Sequence, residues 1–264
     1  MDRFSDRADV DAAAVLTRIG EVSPYFRLEI DEGSAPLAEF YADDDAIRSA
    51  VRRVGLAMDT EEFRTAASTF HIGVVARLWS ITLGAMVLTG TRVVLDPARI
   101  FYSPTSTGIT LATEQPQVLA LDPQARAADG TISETAATDA AHALDGGHLG
   151  ALAAGLGRAG SIAHPMLRGN TVATVFGAGR MIDRHLGRPT PPEFTGPGLP
   201  APVLSAALGP GWRSALITAA SAPLAGAAEF DAAGGYRRRS CCLYYRVPGG
   251  GLCGDCVLDT VPGD

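Results

Sequence analysis

The sequence contains no lysine, because all 22 of its cationic residues are arginines. Lysine supplies the amine of Schiff-base enzymes and the cation of the phosphate-binding loop in nucleotide hydrolases. Enzyme classes that depend on either group are therefore excluded. The chemistry of this chain has to come from other side chains.

The chain also lacks net positive charge. Its 264 residues carry a formal charge of −7, with a pI near 5.2. Binding of DNA or RNA draws on clustered cations that release counterions from phosphates, so we expect no nucleic acid partner. Apolar residues make up 47% and charged residues 19%, which is typical of a globular protein.

Neither a secretory signal nor a clear membrane span is predicted. Residues 1–15 lack an apolar core and include several acids. The most apolar stretch, residues 71–90, is interrupted by Arg77 and Trp79 and is marginal in length for a bilayer. We expect it to be a buried core helix. The expected location is the cytoplasm, with at most peripheral membrane contact and with reduced thiols.

Apolar spacing predicts an α+β fold that is mostly helical, with a small antiparallel sheet. Helices are expected after Asp9 or Asp11, after Asp43–Asp45, from Thr60 towards Leu88 with a break possible at Gly73 or Gly84, over about 131–156 and 161–186, and in short pieces at 202–208 and 212–228. Strands are expected at 91–95, 99–102 and 108–113, a polar loop at 114–131, and a proline-rich linker at 189–202. Residues 1–231 are assigned to the helical body and residues 232–264 to a separate C-terminal segment.

All four cysteines lie in that last segment, as Cys241, Cys242, Cys253 and Cys256. Four thiolates are the donor set of a tetrahedral zinc or of a 2Fe-2S cluster. The run Pro248–Gly251 is a flexible reversal that can bring the two pairs together. Vicinal cysteines in a strand would point to opposite faces, so the backbone must turn there for both to reach one site.

Zinc ribbons usually carry two Cys-x-x-Cys pairs instead of a vicinal pair. Zinc and, less easily in the cytosol, disulfides stay open as alternatives.

The ending Cys-Cys-x10-Cys-x2-Cys resembles that of FhuF-type ferric siderophore reductases, and residues 77–88, 145–156 and 169–182 resemble helices of that family more weakly. The resemblance implies that the four cysteines are the metal-ligating, cofactor-binding and catalytic residues of a 2Fe-2S cluster. It also implies one-electron reduction of siderophore-bound Fe(III), with release of Fe(II). The implied partners are a ferric siderophore of the hydroxamate type and an electron donor such as a ferredoxin or flavin reductase.

Cationic and aromatic residues surround the cysteines. We expect Arg237, Arg238, Arg239, Arg246 and Tyr245 to be substrate contacts. Cations beside an anionic cluster favour its reduced form, and they attract acidic ligands. A solvated basic loop is the alternative interpretation of the arginines.

Two other functions are compatible with the sequence. An iron-sulfur electron-transfer or sensor protein would hold the cluster but bind no ferric hydroxamate. A siderophore-binding domain with a structural zinc tail would be colourless and redox-inactive.

Overall fold

The computed structural model describes residues 10–31, 35–105, 108–188, 208–219, 222–230 and 235–262. It confirms a mostly helical α+β fold with small antiparallel sheets. The helices are α1 (Ala12–Gly20), α2 (Leu37–Ala42), α3 (Asp44–Ala57), α4 (Phe63–Gly84), α5 (Glu134–Leu144), α6 (Gly150–Ala159), α7 (His164–His185) and α8 (Gly209–Arg213). The strands are β1 (Ala35–Pro36), β2 (Thr91–Val93), β3 (Phe101–Thr105), β4 (Gly108–Ala112), β5 (Val118–Ala120), β6 (Ala228–Phe230) and β7 (Tyr236–Arg238).

Aspartates begin two of the early helices, as the sequence predicts. The Asp11 carboxylate accepts the Ala14 N–H at the start of α1, and the Asp43 carboxylate accepts two backbone N–H groups at the start of α3. Each cap satisfies amides that have no partner within the helix. The apolar stripes that follow are buried in the core.

Helix α4 is the centre of the body and packs against α3 and α7. It runs unbroken through Gly73, and its geometry changes only after Gly84, where the π-helical turn Ala85–Thr89 follows. The phenyl ring of Phe26 lies where a Cβ on Gly84 would be. A helix surrounded by other elements has to be apolar on all sides, which explains its composition.

The same helix is the one in the described ranges that is long and apolar enough to cross a membrane. It spans Phe63–Thr89, and 67% of its apolar window is buried inside the protein. This burial confirms the prediction of a core helix.

The predicted sheet is divided among separate small sheets. β3 pairs with β4 and with β1, whereas β2 pairs with β5. The prediction of a polar loop over 114–131 is wrong at β5. The backbone N–H and C=O groups of β2 need partners, and β5 supplies them despite its weak apolar pattern.

The second half contains two long helical stretches close to the predicted bounds. α5 continues through the π-helical turn Asp145–Leu149 into α6, and α7 follows after a short connection. The predicted helix at 212–228 is wrong beyond the π-helical turn Ser214–Thr218, because Gly226 has a φ of 76° and the chain then enters β6. The predicted linker at 189–202 lies outside the described residues, as does the predicted helix at 202–208 except for its last residue.

β6 and β7 form an antiparallel pair that joins the two sides of the predicted boundary at residue 231. The division into a body and a C-terminal segment stays a prediction. β7 packs on α7, and this contact carries the chain directly to the cysteines.

Candidate metal centre

The four cysteine side chains meet in a closed ring, with all four thiols free of disulfides. The sulfur atoms of Cys242 and Cys253 are 3.6 Å apart. Cys241 has hydrogen-bonding contacts to Cys242 and Cys256, and Cys253 also contacts Cys256. Among the described residues no three His, Cys or acidic side chains surround a single ion position, and the sulfurs instead contact one another. The structure thus brings together two pairs that are eleven positions apart in sequence.

A turned backbone allows both vicinal thiols to face the same site. β7 ends at Arg238, and Leu243 has a left-handed backbone with a φ of 66°. Such a conformation is uncommon for a residue with a branched side chain. Between the two cysteine pairs, a positive φ lies at Gly249, at 72°.

Each sulfur of the ring accepts an N–H group. The Leu243 amide donates to Cys241 Sγ at 3.3 Å, and the Leu258 amide donates to Cys256 Sγ at 3.4 Å. The Tyr244 amide donates to Cys242. In all three cases the donor is two residues after its cysteine. For Cys253 the donor is instead the guanidinium of Arg238.

Arg238 lies beneath the ring and is only 2% exposed. Its Nη1 donates to Asn170 Oδ1 at 3.1 Å, and its Nε lies 3.0 Å from Asp255 Oδ2 in an ion pair that is not aligned as a hydrogen bond. Asn170 in turn donates to the Ser68 hydroxyl at 2.9 Å and to the Ser68 carbonyl at 3.3 Å. A buried polar chain therefore links α4, α7 and the cysteine segment.

Small residues allow α7 to approach this segment closely. A Cβ on Gly169 would meet the Ser240 hydroxyl, which donates to the Pro165 carbonyl at 2.8 Å. On the same buried face of β7 as Arg238, the Tyr236 ring packs against Phe176 of α7, with centroids 4.3 Å apart and ring planes tilted by 43°. The cysteine segment is thus held against the helical body.

The other predicted arginines are exposed, and each is paired with a carboxylate. Arg237 contacts Asp259 at 2.5 Å, Arg239 contacts Glu229 at 2.9 Å, and Arg246 contacts Glu62 at 2.6 Å. Arg246 also lies beside Tyr245, donating to its hydroxyl at 3.2 Å. The arginine run is therefore a set of compensated pairs rather than a free basic patch.

The protein environment favours a partly ionised ring. Hydrogen bonds from Cys241 and Cys253 lower the pKa of Cys242 and of Cys256, and Arg238 adds to the lowering. The same hydrogen bonds raise the pKa of Cys241 and Cys253. Burial alone would lower the pKa of Arg238, but Asp255 and the nearby sulfurs offset this and raise it.

The residues present fit a cluster of iron and sulfide. Four sulfurs converge, and N–H donors reach each of them, as is typical of sites that stabilise anionic metal thiolates. The cation at Arg238 compensates the negative charge that such a group would bring. The donor set contains only sulfur, which suits iron-sulfur ligation.

Sequence reasoning identified the cysteines but missed the buried polar residues around Arg238. Asp255 offered a signal, because it stands between Cys253 and Cys256. Asn170 is a buried amide in α7, and nothing in the sequence indicated its partner. Ser68 gave no signal beyond a small polar residue in α4.

The comparisons with known proteins agree with this arrangement. Residues 238–258 match the family model described as the FhuF 2Fe-2S C-terminal domain, and the match begins at Arg238 and includes all four cysteines. No curated protein matches the chain. The resemblance seen in the cysteine spacing is confirmed over residues 238–258, and this segment is similar to a 2Fe-2S domain.

Proposed function

We propose that this protein is a cytoplasmic ferric siderophore reductase whose 2Fe-2S cluster is held by Cys241, Cys242, Cys253 and Cys256. The observation that carries the proposal is the closed ring of these four thiols within the segment that matches an FhuF 2Fe-2S domain. Iron-sulfur chemistry itself follows from the family match. The siderophore as substrate and the four ligand assignments are the proposed steps.

The chemistry is a transfer of one electron. When bound, a 2Fe-2S cluster supplies electrons singly. Hydroxamate chelators hold Fe(III) far more tightly than Fe(II), so one electron delivered to the substrate iron weakens its complex and releases Fe(II). A ferredoxin or flavin reductase replaces that electron, and no bond to the protein is made or broken.

The protein holds the redox site near the surface and buries the side of the site that faces Arg238 and the helical body. Cys242 and Cys256 are buried, whereas Cys241 and Cys253 are half-buried. Tyr244, 47% exposed, and Val257, 36% exposed, follow the ligand pairs closely in sequence. These exposed apolar side chains give a ferric chelate or an electron donor a surface close to the cluster.

The candidate substrate contacts divide into two groups. Arg237, Arg239 and Arg246 lie at the surface, where a ligand can compete with their carboxylate partners, and Tyr245 lies half-buried beside Arg246. Arg238 has no exposed surface to offer, so we reassign it from substrate contact to contact with the cluster ligands.

A visible spectrum of the anaerobically purified chain, followed by EPR after dithionite reduction, tests the cofactor ligation. We expect the spectrum and signal of a 2Fe-2S centre in the wild type and in the neighbouring control S240A. We expect their loss or marked change in each of C241S, C242S, C253S and C256S. An unchanged cluster in any of these four variants would contradict the proposed ligand set.

A ferric hydroxamate chelate of the ferrioxamine type, added with a ferrous trap, tests the reaction. The reduced protein should transfer electrons to the chelate and yield trapped Fe(II). A cluster that stays reduced in the presence of the chelate would favour an electron-transfer or sensor protein. A colourless protein with stoichiometric zinc would favour a siderophore-binding domain with a structural metal.

A further inference from the structure

Arg238 is buried, whereas the other arginines of the segment are exposed, so solvent screens its charge less than theirs. Arg237, one residue earlier, is 47% exposed and pairs with the exposed Asp259. Charges in solvent interact weakly across ionic solution, whereas buried charges are screened much less. The electrostatic influence of the arginine run on the thiol ring is therefore concentrated in Arg238.

The hydrogen bonds to the sulfurs point to the same residue. Three sulfurs receive a backbone amide from two residues downstream, a neutral donor. Cys253 receives the charged guanidinium of Arg238, which also contacts the Cys242 sulfur. Hydrogen bonds in which the donor is ionised are about twice as strong as neutral ones.

We propose that Arg238 is the positioning residue that sets the reduction potential of this site, through its charged hydrogen bond to Cys253 and under the restraint of Asp255. The inference rests on the proposed ligation by the four cysteines. It does not depend on a siderophore being the substrate. Reduction adds one negative charge beside the guanidinium, so Arg238 favours the reduced form and raises the potential. Asp255 opposes this effect by compensating part of the positive charge.

The helical body holds the guanidinium in place. Asn170 on α7 accepts from Nη1, and Ser68 on α4 fixes the amide of Asn170. Three partners, Asn170, Asp255 and Cys253, therefore use three different nitrogen atoms of one planar group. A lysine ammonium has a single nitrogen and cannot match this fork. R238K should consequently recover the charge but only part of the effect.

The test compares midpoint potentials of R238Q and R237Q, measured by EPR-monitored titration of the full chain without any siderophore. Both variants lose one positive charge at adjacent positions, one buried and one exposed. We expect R237Q to match the wild type. R238Q should shift to a lower potential, so that at a fixed poise its reduced-to-oxidised ratio falls by about tenfold, a shift of about 59 mV for one electron. Equal potentials for R238Q and R237Q would overturn the proposal.

D255N should shift the midpoint potential in the opposite direction from R238Q. It keeps Arg238 and removes its carboxylate partner, so the potential should rise above that of the wild type. If R238Q does not retain iron, the midpoint potential of D255N becomes the deciding measurement. An unchanged or lowered potential in D255N overturns the proposal. Loss of iron from R238Q, R238K and D255N alike would show a role in folding only and would also overturn it. Absence of the cluster from the wild type would instead refute the ligation itself.

Discussion

Asn170 connects the helical body to Arg238, and its replacement by alanine is expected to destabilise the protein strongly. The side chain is fully buried and takes part in three hydrogen bonds, two to Ser68 and one from Arg238. N170A removes all three. It also leaves one N–H of a buried guanidinium without its acceptor.

The magnitude follows from these contacts. A typical buried hydrogen bond contributes about 1 kcal/mol net, and a buried polar group left without a partner costs about 1–3 kcal/mol, or more when it is charged. We expect N170A to lower the free energy of unfolding by about 3 kcal/mol, a large part of a typical stability. S68A is the matched control. It removes the hydroxyl but keeps the Ser68 carbonyl and the contact with Arg238, so it should cost only about 1 kcal/mol.

Urea unfolding of the anaerobically purified chain, monitored by circular dichroism, measures both values. N170D is a useful third variant, because its carboxylate still accepts from Arg238 but no longer donates to Ser68. The loss of unfolding free energy in N170D should lie between the losses in N170A and S68A. If N170A proved no more destabilising than S68A, the buried chain from α4 to Arg238 would not contribute as the contacts indicate.

Three further predictions concern other parts of the molecule. G250A should lower the iron content of the purified protein relative to G251A, because a Cβ at 250 would meet a backbone carbonyl oxygen whereas a Cβ at 251 meets nothing within 4 Å; equal iron in the two would contradict this packing. R246Q should change the urea unfolding midpoint only slightly, since its pair with Glu62 is at the surface, and the difference should shrink further in high salt. Burial lowers the pKa of His71 from 6.5 to about 3, so the native state resists its protonation. Stability should decline as the pH falls from about 6.5 towards 3, and H71F should show a weaker decline in pH-dependent denaturation; identical pH profiles would argue against the buried histidine as a cause.

The sequence by itself determined those features whose physics is local. Asp11 and Asp43 begin helices because their carboxylates reach amides two or three residues away. The cysteine spacing identified a four-thiol donor set and the family resemblance, because ligand type and spacing are properties of the chain. Helix α4 was recognisable as a core element from its continuous apolar character.

Pairing between distant segments was decided only by the tertiary structure. Nothing local distinguishes β5 from a loop, and its strand conformation depends on the unpaired edge of β2. Arg237, Arg238 and Arg239 are identical in type and adjacent in sequence. Strand alternation predicts that they differ in direction, but it does not say which one is buried.

The packing of β7 on α7 selects Arg238 for burial and places its guanidinium between Cys253 and Asn170, which is 68 positions earlier in the chain. A buried cation is tolerable only where acceptors and an opposite charge already surround it. Asn170, Asp255 and the cysteine sulfurs meet this requirement together only after α4, α7 and the C-terminal segment have assembled. The sequence therefore determines which ligand residues form the site, whereas the charges and hydrogen bonds around those ligands arise only when the chain folds.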